Sequence, residues 1–434
     1  MREICLTLPT NRACATAIAA IAEEAAYAVE HFDVRVYVVV LDSSDEATFA
    51  EHAKVIDATS ATPNVIVLHL DEADQRQFLR NVIRSAEVAK PDLVLDLMLP
   101  EALSYGACTN RAFLIASALG CDSVHRRDSD SDYQELNGRK VFPIHHELAA
   151  IGLRAADVAV NVTESLLDSD QLARTVAMVA GSFIGELSVD IDEIRQHAPD
   201  VYYDFVSLWA PGDSTDAQKQ ELVAESFTGA GTEPFTHDRS VLSIVDPMRV
   251  DMCNISFHQV HEDVPLPPAT DTIGSDYFLI HVVHDAALPG VLHNRHIVNF
   301  HTPDRKTGPG FMAYQLRYTK FVLSMLYLHY VYTKMAEGSL LDERGRVRAS
   351  VIAEFVREST WLGKDENVRR LDSLDRAYRK LGGGYTEFAD TLVPRREQLL
   401  AEAQRDMEDF ALLIDVWDQL VRASKITAVP RAAR

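Results

Sequence analysis

Between residues 3 and 121 the chain alternates short β-branched apolar runs with longer stretches of helical period, and this alternation narrows the fold more than any single motif. "EICLTLP" (3–9), "VRVYVVVLD" (34–42) and "NVIVLHL" (64–70) have the length and composition of strands. "ACATAIAAIAEEAAYAVEHF" (13–32), "DEATFAEHAKVIDAT" (45–59) and "DEADQRQFLRNVIRSAEVA" (71–89) follow them in turn with helical character. "SYGACTNRAFLIASALGC" (104–121) predicts a further helix with Ala107, Phe113, Leu114 and Ala118 facing inward, while "DLVLDLML" (92–99) fits either type. Strands alternating with helices predict a mostly parallel central sheet flanked by helices. Sheets of that kind bind ligands beyond the carboxyl ends of their strands, which points to the loops starting at Pro9, Asp42 and Asp128.

Residues 141–310 are more mixed. A helix is expected over "YFLIHVVHDA" (277–286), after the proline cluster "VPLPPATDT", and a strand over "HIVNFH" (296–301). Residues 311–434 are almost entirely helical in pattern, with a break at "LGGGY" (381–385). The organisation expected is an α/β unit over 1–310 and an all-helical extension over 311–434. The 311–335 stretch is apolar over much of its surface, and such a helix is normally buried, so a homodimer through it is one expectation.

A chain of 434 residues with 47% hydrophobic and 25% charged residues is ordinary soluble globular protein. Its formal net charge of −23 argues against a surface built for nucleic acid or anionic membrane. Five scattered cysteines form no CxxC pair, the start "MREICLTLPTNR" has no apolar signal region, and no apolar run reaches spanning length. These features predict a cytoplasmic protein.

"HRRDSDSDY" (125–133) sets Asp128, Asp130 and Asp132 on alternate positions. Such a run is often only a solvated turn. A calcium loop starting at Asp128 would need Gly and Glu where Tyr133 and Arg139 stand. In an extended segment alternate side chains share a face, so Asp128 and Asp130 form a pair of hard ligands suited to Mn²⁺ or Mg²⁺.

In its context the run resembles the Asp-X-Asp motif of GT-A glycosyltransferases of the family-2 kind, which move sugars from nucleotide-diphosphate donors. "TLPTNR" at the end of the first strand, "VVVLDSSDE" at the end of the second, and "SYGACTNRAFLIASALGCDSVHRRDSDSD" follow the order found there. The resemblance implies the GT-A fold, Rossmann-like with a mostly parallel sheet, with a nucleotide-binding half (1–135) and an acceptor half (136–310). It implies a divalent metal on Asp128 and Asp130, with Asp132 in reserve, and His301 as third ligand, His296 being the fallback. Donor contacts fall on Pro9, Thr10, Asn11, Arg12, Asn110, Arg111 and Ser129, with Asp42 toward the base and Arg305 and Lys306 on the phosphates. Arg126 or Arg127 would pair with the aspartates or touch the diphosphate, and Arg127 is taken as the donor contact.

Asp276 and, behind it, Asp271 are candidates for the base that accepts the acceptor's proton in an inverting reaction; a retaining one needs neither. Asn254, His258 and the segment 181–193 are candidates for the acceptor side. The implied activity is metal-dependent transfer of a sugar to a small soluble acceptor, without nucleic-acid partners or membrane insertion. A sugar nucleotidyltransferase is the alternative, although "TLPTNRAC" lacks the glycine of a phosphate loop. A non-catalytic nucleotide-sugar-binding relative is the third reading.

Overall fold

The computed structural model describes residues 1–430 apart from 60, 188, 190, 301 and 302. Four parallel strands, β1 (Arg2–Thr10), β2 (Val34–Asp42), β3 (Val65–Leu70) and β4 (Ser123–Arg126), lie in the order β3-β2-β1-β4. The sheet continues through an antiparallel strand, Ile255–Phe257, to Met178–Ala180, Gly290–His293, Ser240–Ser243 and Glu164–Ser165. The β-branched run of β2 suits a strand covered on both faces, and seven of its nine residues, all but Arg35 and Tyr37, are buried.

Five helices join the parallel strands: α1 (Ala15–His31), α2 (Glu46–Ala58), α3 (Glu72–Ala86), α4 (Pro91–Met98) and α5 (Tyr105–Ala118). Asp45, Asp71 and Ser104 cap α2, α3 and α5 by accepting from the N–H of Thr48, Asp74 and Ala107. The ambiguous 92–99 run is helical because Pro91 occupies a first-turn position, where its missing N–H costs nothing. Register then places the site: Thr10 lies opposite Asp42 and Thr7 opposite Arg126, so the loops after β1, β2 and β4 open at one edge.

The helical region begins at Gly308, so residue 310 falls within the first turn of the helix Gly308–Glu337. Helices Ala349–Ser359, Asp365–Leu381 and Gly383–Ser424 follow, and Gly382 makes the break at a positive φ of 73°. These helices do not form a separate appendage core: Phe113, Phe278, Tyr327 and Trp417 belong to one continuous cluster. The Trp417 indole donates to the His261 carbonyl at 3.0 Å, and Lys425 pairs with Glu262 at 3.0 Å. Val322, Leu323, Tyr327, Val331 and Met335, expected at a dimer face, are buried within the chain itself. Among the described residues no helix is long and apolar enough to cross a membrane.

Candidate active site

A cavity of about 810 Å³ opens beyond the carboxyl ends of β1, β2 and β4. Pro9, Thr10, Asn11, Arg12, Leu41, Ser43, Arg111, Ser129, Asp130 and Arg305 are among its walls. Gly106 at the start of α5 sits so close to the 266–268 segment that a Cβ there would lie 1.9 Å from the Pro267 carbonyl oxygen. That contact and the Asn110 side chain, which donates to the Leu266 carbonyl and accepts the Leu266 N–H, dock the segment leading to Asp276 onto α5.

Charges of both signs meet on the cavity floor. Asp130 Oδ2 lies 3.1 Å from both Arg12 Nη1 and Arg305 Nη2, and the Arg305 guanidinium stands over the Tyr314 ring. Arg126 bridges Asp128 (3.0 Å) and Asp276 (2.5 Å). Asp251 also lines the floor, accepting from the Tyr277 hydroxyl at 2.7 Å. Burial pushes the Asp128 carboxyl up to about 6; Arg126 opposes that, and Asp130, Asp276 and Asp251 add to it. Arg126 Nε is buried without a partner among the described residues.

This donor set fits a hard divalent cation. Asp128 and Asp130 would offer two oxygen ligands, and the crowding that favours a protonated Asp128 is what a cation would relieve. His301, expected as third ligand, lies outside the described residues. The fallback His296 accepts the Ser182 N–H at 3.1 Å through Nδ1 and is not on the cavity wall. Asp132 is on the strand Ser131–Tyr133, where its carboxylate accepts the Tyr133 N–H.

Several expected contacts face elsewhere. Arg127 is turned to the opposite side of the strand end from Arg126, as successive side chains must be. Its guanidinium meets Glu24 (2.8 Å) and Glu147 (3.0 Å), and all three are buried. Glu24 also takes the Tyr133 hydroxyl at 2.6 Å, and His125 Nδ1 donates to Glu147 at 2.6 Å. Arg127 therefore braces the strand from behind and is not on the cavity wall. Asn110 is enclosed in its clamp, away from the cavity. Arg111 does line the cavity, held by Gln75 and the Met98 carbonyl.

Asp42 does not face a base. Its fully buried carboxylate receives His52 Nδ1 (2.7 Å), His69 Nε2 (2.8 Å) and the Ser44 N–H (2.9 Å). Burial alone would raise its pKa, but these hydrogen bonds outweigh it and hold the group well below the usual carboxylate range. Asp42, His52 and His69 also have the make-up of a metal-ligand set. However, the Cys14 N–H donates to His52 Nε2, which leaves Nδ1 to donate to Asp42, so the triad is satisfied by its own hydrogen bonds.

Asp271 sits at a positive φ of 48° off the cavity, its N–H bonded to the Leu103 carbonyl, leaving Asp276 as the expected base on the wall. Lys306 lines a neighbouring hollow of about 340 Å³, near Glu186. Asn254 and His258 are taken up by backbone carbonyls, of Ser182, Arg295 and Asp122. The sequence reading missed Asp251 and the whole wall supplied by the helix Gly308–Glu337, from Tyr314 to Ala336.

A model for a family of unknown function, DUF6271, matches residues 2–433. The chain belongs to this family. No curated protein matches the chain. Among solved structures, this DUF6271 chain is similar to a mannosyltransferase from Pyrobaculum calidifontis in complex with GDP-mannose and Mn²⁺, at 12% identity and a TM-score of 0.35 over 94% of this chain and 86% of that one. It is also similar to a mycobacterial protein, at 14% identity and a TM-score of 0.36 over 76% and 74%. A third is core-mannan synthase A from Aspergillus fumigatus in its Mn/GDP form, at 9% identity and a TM-score of 0.26 over 74% and 85%.

Proposed function

We propose that the protein is a metal-dependent glycosyltransferase of GT-A type that uses a nucleotide-diphosphate sugar. The observation that carries this reading is the meeting of Asp128 and Asp130 with Arg12, Arg126 and Arg305 in one cavity beyond β1 and β4. Carboxylates alone would repel a diphosphate, whereas a cation held on them, with the arginines beside it, would stabilise its charge.

Asp128 and Asp130 would hold Mn²⁺ or Mg²⁺, which when bound stabilises the charge growing on the departing diphosphate. Arg12 and Arg305 are placed to donate charge-assisted hydrogen bonds to phosphate oxygens once the ion takes over their hold on Asp130. The loops at Pro9–Arg12 and Leu41–Ser43 offer a bed for the nucleoside. Asp276, fixed by Arg126, is the carboxylate we assign to accept the acceptor's proton in an inverting reaction.

The test is a donor screen: hydrolysis of UDP-, GDP- and dTDP-sugars with Mn²⁺, repeated on Asp130→Ala. One donor should be consumed, and the variant should lose about 100-fold or more, the scale on which one electrostatic stabiliser registers. Metal-independent hydrolysis, or release of pyrophosphate from a nucleoside triphosphate and a sugar phosphate, would overturn the proposal.

A further inference from the structure

The cavity is larger than a donor headgroup needs, and away from the carboxylates its wall changes character. On the helix Gly308–Glu337 the lining positions Tyr314, Phe321, Met325, Leu328, Tyr332 and Ala336 fall on one face, spaced by three, four or seven residues. Tyr314 lies under Arg305, which holds Asp130, and from there to Ala336 the helix rises about 33 Å. Across from this face stand Trp209 and Phe227, whose rings lie 6.0 and 6.4 Å from that of Phe321. On the helix Phe278–Asp285, which starts just after Asp276, His281 stacks on Tyr332 at 3.8 Å. Trp209, Phe227, Phe321 and Tyr332 remain only half-buried, and all four line the cavity.

Beside these rings the lining also holds His281, His284, Asp285, His329 and Thr333, with His284 and Asp285 paired at 2.9 Å. Burial, with help from His329 and His284, pushes His281 down to about 3, and burial pushes His329 down to about 4, so both are neutral at physiological pH.

Resting on the glycosyltransferase reading above, we infer that the acceptor is an elongated, uncharged, hydrophobic alcohol whose hydroxyl lies at Asp276 and whose apolar body runs along the helix Gly308–Glu337. In the transfer, the bond from the anomeric carbon to the diphosphate oxygen breaks and its electron pair leaves with the diphosphate. A bond forms from the acceptor oxygen to that carbon, and the hydroxyl proton passes to the Asp276 carboxylate. This inference departs from the small soluble acceptor expected from sequence.

The test is displacement of the neutral dye Nile red from the full-length protein by the primary alcohols from hexanol to dodecanol, with glycerol and glucose as polar controls. Affinity should rise about fourfold per added methylene, the increment expected for a CH₂ taken out of water. Met325→Trp, which fills the limb, should weaken dodecanol at least tenfold. Should that variant not fold by circular dichroism, Phe321→Ala should flatten the series by removing a wall. A series without chain-length dependence, one unaffected by the folded variants, or displacement by glucose overturns the inference. Mn²⁺-dependent binding of UDP or GDP is measured on the same wild-type protein. Its absence overturns the transferase reading, whereas a flat alcohol series beside intact nucleotide binding overturns the acceptor assignment alone.

Discussion

Replacing Arg127 by methionine separates a brace from a donor contact. The substitution keeps much of the stem's apolar volume but leaves Glu24 and Glu147, both fully buried, without their shared cation. Removing one partner of a buried ion pair typically costs about 3–5 kcal/mol, a large share of the ~5–15 kcal/mol that holds a folded protein together. The cost should depend on pH. In the native protein burial would raise the Glu147 pKa, but Arg127 and His125 outweigh it and hold the group below its ordinary value. Its contribution to stability is therefore present above the unfolded pKa of about 4.3 and lost as pH falls through the lower folded value. Without Arg127, burial pushes the folded pKa above the unfolded one, and the sign reverses: stability is kept at low pH and lost as pH rises. The deficit should be largest near pH 8 and shrink toward pH 5. Urea unfolding followed by circular dichroism at both pH values measures it, and calorimetry on the folded variant measures nucleotide binding. The expected result is a pH-dependent loss of stability with the nucleotide affinity kept. Native stability with nucleotide binding reduced tenfold or more would refute this account and return Arg127 to the donor.

Two further perturbations probe the rest of the structure. Trp417→Ala should cost about 3–5 kcal/mol in one cooperative transition, because that indole lies in the core shared by sheet and helices; two separate transitions would show independent units. Asp42→Ala should destabilise by about 1–3 kcal/mol for each histidine left unpaired and leave the Mn²⁺ stoichiometry at one per chain; a fall from two to one would make the triad a second metal centre.

What the sequence made legible follows the reach of its periodicities. The parallel strands and their helices are local patterns, and Asp128 and Asp130 are two residues apart in the sequence, so both could be found without tertiary information, although a turn at 129–130 stands where an extended segment was expected. Arg126 and Arg127 could not be told apart, because alternation says that they diverge but not which one faces the cavity. A signal was nonetheless present: Glu24 lies with Ile21, Ala25 and Ala28 on the buried face of α1, and a carboxylate there demands a buried cation. Asp42 misled because His52 and His69 approach it from α2 and β3, a meeting fixed only by the sheet register. The helix Gly308–Glu337 announced that it would be buried but not by what, and its cavity-facing residues are as apolar as those in the core.

The most direct test of the central claim is a calorimetric titration of UDP and GDP into the protein with and without Mn²⁺, repeated on Asp128→Ala and Asp130→Ala. The account predicts that one of the two nucleotides binds only when Mn²⁺ is present, and that each substitution abolishes this binding in protein that is still folded. Equal binding without the metal, or Mn²⁺-dependent binding that survives both substitutions, would contradict it.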